Sequence, residues 1–174
     1  MMERALVRPG EKRMLAADLP PYFEERVVCS VAAAVKNEAL ANIVLAVAEI
    51  ENGKPGQYVR NANGTLDVGL MQFNTSYLEQ LAAYGITPQD VASKGRYPYE
   101  LATWRIRGHL LNDSGDIWTR AANYHSRTPR YNAIYRDKLV RAAGRWASWL
   151  AERFTVRDVT ATNSPNHDEI RPEK

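Results

Sequence analysis

The chain has 174 residues, of which 45% are hydrophobic, and its 23 basic and 20 acidic side chains give a net charge of +3. This composition excludes a disordered chain and predicts one globular domain with its own core. The single cysteine, Cys29, excludes an intrachain disulfide, and its apolar neighbours predict a small buried side chain. Apolar runs fall far short of the roughly 20 residues that a bilayer requires, so we expect no membrane span.

The first part of the chain predicts an arm followed by two helices. Residues 1–21 end at Pro20-Pro21 and contain no apolar stretch typical of a signal peptide. Helical periodicity then runs from Tyr22 to about Lys36 and again from Ala39 to Glu51.

A short hairpin is predicted over residues 57–73, where "QYVRNANGTLDVGLMQF" places β-branched residues around an Asn63-Gly64 turn. Four more helical segments follow, the last and longest being "YNAIYRDKLVRAAGRWASWLAERF", with Tyr135 on its apolar stripe. The polar residues 155–174 predict a disordered tail, and we expect both chain ends, residues 1–18 and 156–174, to be dispensable for folding. The class is mainly α with one small β element, in a domain over residues 22–154.

Two glutamates close the second helix, and the helical period distinguishes them. Glu51 follows Val47 by four residues and so falls inside the apolar stripe, whereas Glu49 points the other way, beside Asn42 and Ala46. Glu49 is therefore predicted to be solvated and Glu51 to face the interior. A carboxyl in apolar surroundings resists ionisation and can serve as a general acid near neutral pH. The alternative is that the helix frays at Asn52 and Glu51 faces water.

Two further motifs could complete a binding site. In "GLMQ", Gly69 allows a close approach of backbone and ligand, Met71 can pack on a sugar face or in the core, and Gln72 offers donors and acceptors for sugar groups. In "AANYHSRTPRYNAIY", Tyr124 has a polar tip that could reach a carboxyl, and His125 is either structural or a group that titrates near neutrality.

Together, "AVAEIENG", "NGTLDVGLMQFN" and "AANYHSRTPRYNAIY" resemble the catalytic domain of soluble lytic transglycosylases, over roughly residues 24–150. They are most similar to the specialised enzymes of conjugation and of type III and type IV secretion systems. The resemblance implies a lysozyme-like α+β fold whose hairpin flanks an active-site groove. It also implies cleavage of the MurNAc–GlcNAc bond of peptidoglycan.

Carried over by position, the resemblance makes Glu51 the catalytic residue. Asn52 follows it here, where the family usually has serine. The implied substrate-binding residues are Gly69, Leu70, Met71, Gln72, Tyr124, His125 and Tyr135. Tyr124 matches the tyrosine that contacts the catalytic carboxyl, and many relatives carry asparagine at the position of His125. The family needs no cofactor or metal, so we expect neither.

The resembled family works with one carboxylate. Glu51 would protonate the glycosidic oxygen and then act as base on the C6 hydroxyl of MurNAc, which closes a 1,6-anhydro ring. Ordinary glycosidases use two carboxylates. Asp67 is the only other acid near the motifs, and we interpret it as structural, bonding the hairpin turn.

Two other interpretations stay open: a hydrolytic muramidase, in which water attacks, and a non-enzymatic basic scaffold or binding protein. Basic residues interleaved with acids argue against a nucleic-acid partner. The expected partners are glycan strands and a secretion or conjugation apparatus. The substrate implies the periplasm or cell wall, although no signal peptide is visible.

Overall fold

The structure is a computed structural model that describes residues 21–154. The predicted tail, nearly all of the predicted arm, and the expectation that both are dispensable lie outside these residues. The helices are α1 Pro21–Lys36, α2 Ala41–Glu51, α3 Thr75–Leu81, α4 Pro88–Ala92, α5 Tyr97–Asn112, α6 Ile117–Ala122 and α7 Pro129–Arg153, with a 3₁₀ turn over Ala82–Tyr84. The strands are β1 Tyr58–Arg60, β2 Leu66–Val68 and β3 Phe73–Asn74. The mainly α class is confirmed.

Helix α2 lies at the centre of the core and packs against α1, α5 and α7. Every residue from Ala41 to Ala48 is buried, the polar Asn42 included, because other helices pack on several sides of α2. Asn42 and Ala46, which share the side of Glu49, are therefore not solvated, and the prediction that Glu49 is solvated is met only in part. Glu49 is only 34% exposed, and its carboxylate accepts hydrogen bonds from the Arg145 guanidinium and the Trp146 indole of α7.

The predicted hairpin is confirmed, and a third strand extends it. Strands β1 and β2 pair antiparallel with Tyr58 opposite Val68, around a turn closed by Asn61 and Thr65. Residues 69–72 reverse the chain again, so that β3 pairs with β2 in the order β1-β2-β3. The sequence analysis ended the hairpin where β3 begins, since two residues are too few to carry an alternating pattern.

Helix α4 was not predicted, although its start carries a capping box. The Thr87 hydroxyl accepts from the Asp90 N–H while the Asp90 carboxylate accepts from the Thr87 N–H, and Pro88 occupies the first turn. The threonine, proline and aspartate at this spacing could have indicated the helix.

Two composition-based expectations are met in the described part of the chain. Cys29 is buried in the core, where burial raises the pKa of its thiol to about 11. No helix among residues 21–154 has the length and apolar character that crossing a bilayer demands.

Candidate active site

Glu51 is the last residue of α2, and its carboxyl is held by the last helix. The Tyr135 hydroxyl of α7 donates a hydrogen bond of 2.6 Å to Glu51 Oε1. Burial raises the pKa of Glu51 to about 7; the bond from Tyr135 acts in the opposite direction, and the charge of Asp67 adds to the rise. A carboxyl with this pKa can give and take a proton near neutral pH.

The chain leaves α2 in a fixed geometry directly after Glu51. Asn52 adopts the left-handed conformation with φ +45°, and its N–H donates to the Ala48 carbonyl. Its side-chain oxygen accepts from the Arg26 guanidinium of α1 at 2.7 Å. The helix does not fray at Asn52, and Glu51 is half-buried and held by Tyr135 instead of lying free at a frayed helix end.

The turn over residues 69–72 packs directly against this helix end. The Gly53 N–H donates to the Leu70 carbonyl, and a Cβ at Gly53 would lie 2.0 Å from the Gly69 carbonyl oxygen. Gln72 has φ +49°, and its side-chain amide donates to the same Gly69 oxygen at 2.8 Å. Such backbone strain in a non-glycine residue is commonest at functional sites.

Only one of the four residues of this turn lines the open cavity that Glu51 also lines, which we call the cleft. Gln72 does so, whereas Leu70 and Met71 are core residues and Met71 is fully buried. Gly69 was predicted to allow a close approach of backbone and ligand. It does allow a close approach of backbone, but that backbone belongs to Val91 and not to the cleft: a Cβ at Gly69 would lie 2.1 Å from the Val91 carbonyl oxygen. The expected contact of Met71 with a sugar face is therefore wrong.

The tyrosine that contacts the carboxyl of Glu51 is Tyr135, not Tyr124 as predicted. The buried Tyr124 hydroxyl donates to the Met71 carbonyl at 2.7 Å, beneath the 69–72 turn. Tyr135 instead contacts the carboxyl, because the apolar stripe of α7 packs along α2 and brings this tyrosine to the end of that helix. The stripe predicted for the last helix was the signal that could have found this contact.

His125 is exposed and stacks on Tyr135, with ring centroids 4.7 Å apart and planes within 4°. Desolvation of the stacked ring lowers the pKa of His125. The imidazole covers one face of the phenol that holds Glu51.

Glu51 lies in the wall of two adjoining cavities. One, of about 560 Å³, is lined by polar side chains of the sheet, of the turns between its strands and of α5, including Asn61, Asp67, Gln72 and Arg105. The other, of about 220 Å³, is lined by side chains of α2 and α7 together with His125. Glu51, His125 and Tyr131 line both cavities, so the carboxyl borders open space in each of them.

The sequence analysis missed Arg105 and Tyr131 in these walls. Tyr131 is 53% exposed and lines both cavities. Arg105 belongs to none of the three motifs, and Tyr131 lies within the segment 121–135 without a feature that marks it for the site. Only the packing of α5 and α7 brings the two residues to Glu51.

Asp67 on β2 lines the larger cavity with Glu51. Its Oδ1 accepts from the side-chain amide of Asn74 at 2.9 Å, and the Asn74 oxygen in turn caps α3 by accepting from the Ser76 N–H. Asp67 therefore has a structural partner, and it is also a second carboxylate in the same cleft.

Among residues 21–154, no three histidine, cysteine, aspartate or glutamate side chains are grouped as metal ligands. Comparison of the sequence with models of protein families and with curated proteins gives no match.

Proposed function

We propose that this protein is a peptidoglycan lytic transglycosylase with a lysozyme-like fold, which cleaves the β-1,4 bond between MurNAc and GlcNAc with Glu51 as its only acid and base. One observation carries the proposal: Tyr135 holds a half-buried carboxyl, whose pKa burial raises to about 7, in the wall of two open cavities.

The reaction needs two proton transfers, both at Glu51. Protonated Glu51 gives its proton to the glycosidic oxygen as the bond from that oxygen to C1 of MurNAc breaks. The resulting carboxylate then takes the proton of the C6 hydroxyl while O6 bonds to C1, which closes the 1,6-anhydro ring and restores Glu51. No water is consumed. Tyr135 stabilises the carboxylate between the two steps by donating to Oε1.

The surrounding side chains suit a sugar polymer. Gln72 and Asn61 offer amide donors and acceptors for hydroxyl and acetamido groups, and the exposed ring of Tyr131 offers an apolar face to a sugar ring. Delivery of the protein to the cell wall, and a secretion or conjugation apparatus as partner, belong to the same proposal.

A hydrolytic muramidase is the second candidate, because Asp67 supplies another carboxylate in the cleft of Glu51. Digestion of purified glycan strands separates the candidates. A transglycosylase releases 1,6-anhydro ends, a hydrolase releases reducing ends, and a non-enzymatic scaffold releases neither.

We expect Asp67→Asn to keep the yield of anhydro ends within about tenfold of the wild type. The side chain at position 67 transfers no proton in the proposed reaction, and asparagine can still accept the hydrogen bond from Asn74. Mass spectrometry of the digested strands measures this yield. Cleavage that disappears in Asp67→Asn, with reducing ends as the wild-type product, would establish the hydrolase instead.

The proposal also predicts a pH profile and its displacement. Because Glu51 must be protonated to start the reaction, kcat/KM should fall as pH rises through about 7. Tyr135→Phe removes the bond that lowers the pKa of Glu51, so the falling limb should move to higher pH while the plateau drops by up to about tenfold.

Tyr84→Phe, at a tyrosine that is 79% exposed, is the matched control and should leave the profile in place. A limb that stays fixed in Tyr135→Phe would contradict the assignment of Glu51 as the titrating acid.

A further inference from the structure

A cavity of about 480 Å³ lies between α3 and α5, next to the cleft of Glu51. We call it the Trp104 pocket; its wall includes Tyr77, Gln80, Trp104, His109 and Asn112. Asn74 and Arg105 line both this pocket and the larger cavity at Glu51. The two spaces therefore share a wall, and a strand bound at Glu51 can reach the pocket. Its volume is that of an ordinary ligand site.

Arg105 is a cation without an acidic partner at this shared wall. Within the described part of the chain it takes part in no ion pair. Its guanidinium carbon instead lies 3.9 Å from the ring centroid of Tyr77 and 4.7 Å from that of Tyr124. Contact with the aromatic rings fixes the planar fork and leaves its charge for a ligand, and such a fork matches a carboxylate.

The rest of the pocket offers groups that bind sugars. Trp104 is 56% exposed and presents an aromatic surface, and Gln80 and Asn112 add amides. His109 is 7% exposed, and its Nε2 has no hydrogen-bond partner among the described residues, while its Nδ1 is bound to Asp113. A buried polar atom without a partner is uncommon, and here it belongs to a side chain of the pocket wall.

We infer that the Trp104 pocket binds a carboxylate-bearing unit of the glycan strand, with Arg105 as the carboxylate's partner. The inference depends on the proposed function. In MurNAc the carboxylate belongs to the lactyl group or, where a peptide is attached, to that peptide. The pocket thereby selects strands that contain MurNAc over neutral strands of GlcNAc alone.

Binding to an inactive protein tests this without cleavage. In a Glu51→Gln background, calorimetry would compare three oligosaccharides of equal length: GlcNAc only, MurNAc–GlcNAc with free lactyl groups, and MurNAc–GlcNAc with peptides. We expect the protein to bind at least one charged oligosaccharide roughly tenfold or more tightly than the neutral one. The charged oligosaccharide that binds more tightly identifies the source of the carboxylate. Added salt should reduce the preference.

Two variants in the same background locate the preference. Arg105→Gln should remove it. Arg107→Gln makes the same chemical change on the same helix, at a side chain that lines neither cavity, and should retain it. Should Arg105→Gln fail to fold, Trp104→Ala at an exposed side chain should still weaken binding of the charged oligosaccharides about tenfold, and Leu111→Ala, 62% exposed on α5, should not.

Equal affinity for charged and neutral oligosaccharides would overturn this inference and leave the proposed function intact. So would a preference that survives Arg105→Gln or, where that variant does not fold, binding of the charged oligosaccharides that Trp104→Ala leaves unchanged. Failure to bind any of the three oligosaccharides, together with no cleavage by the unmodified protein, would overturn the proposed function as well.

Discussion

Glu51→Gln is expected to abolish release of 1,6-anhydro ends from glycan strands while strand binding stays nearly unchanged. Glutamine keeps the size of the side chain and can still accept the bond from Tyr135, but it can neither supply the proton nor take it back. General acid–base catalysis typically contributes about 10²–10⁴-fold, and because one residue performs both transfers the loss should lie at the upper end. Mass spectrometry of digested strands and a binding isotherm measure the two quantities.

Glu49→Gln is the matched control, two residues away on the same helix. It exchanges a one-third exposed carboxylate that Arg145 and Trp146 already hold at a distance from the cleft. It should lower the free energy of unfolding by about 1 kcal/mol or less and leave cleavage intact. An inactive Glu49→Gln beside an active Glu51→Gln would refute the assignment of the catalytic residue.

The Glu51→Gln variant should also be more stable than the wild type at pH 8. The pKa of Glu51 rises from 4.5 in the unfolded chain to about 7 in the folded protein, so the folded state binds the proton more tightly. The wild type is then most stable below pH 4.5 as far as this group is concerned, and it loses roughly 3 kcal/mol as pH rises through 7. Glutamine has no such loss. Thermal unfolding at pH 5 and pH 8 would show a gap between the two proteins that widens with pH.

The helical period located the catalytic candidate correctly but described its helix incorrectly. The stripe through Val47 placed Glu51 toward the interior, and the structure has it half-buried in the wall of two cavities. The same stripe implied a polar face through Asn42 and Ala46, and those residues are buried, because α2 has neighbours on all sides. A period reports which residues share a face, whereas the number of neighbouring helices depends on the whole fold.

Contacts across long sequence separations could not be predicted in the same way. Tyr124 and Tyr135 are both near Glu51, and a local motif gives no means of deciding which hydroxyl reaches the carboxyl. That choice depends on how α7 packs along α2, and the two bonded residues, Glu51 and Tyr135, are 84 positions apart in the sequence. Arg105 shows the same limit, since its position between two tyrosine rings exists only after α3, α5 and α6 have packed.

Of the variants proposed, Gly69→Ala is expected to lower the free energy of unfolding most. Gly56→Ala is the comparison that separates the two causes of this loss. The two glycines have nearly the same left-handed backbone, with φ +71° and φ +72°. Alanine at either position costs about 1–2 kcal/mol for that conformation alone. A Cβ at Gly56 meets open space, whereas a Cβ at Gly69 would lie 2.1 Å from the Val91 carbonyl oxygen.

Because that oxygen belongs to backbone, relief at Gly69 requires the 69–72 turn to move away from α4, at a further cost of about 1–3 kcal/mol. The movement would also displace Gln72, whose side chain binds the Gly69 oxygen. It would displace the Leu70 carbonyl as well, which accepts from the Gly53 N–H beside Glu51. Gly69→Ala should therefore lower the melting temperature by roughly 10 °C and reduce cleavage, against about 3–5 °C and unchanged cleavage for Gly56→Ala. Equal losses of melting temperature in the two variants would contradict this prediction. They would mean that glycine is required at position 69 only for its backbone conformation, and that the contact with α4 does not hold the 69–72 turn in place beside Glu51.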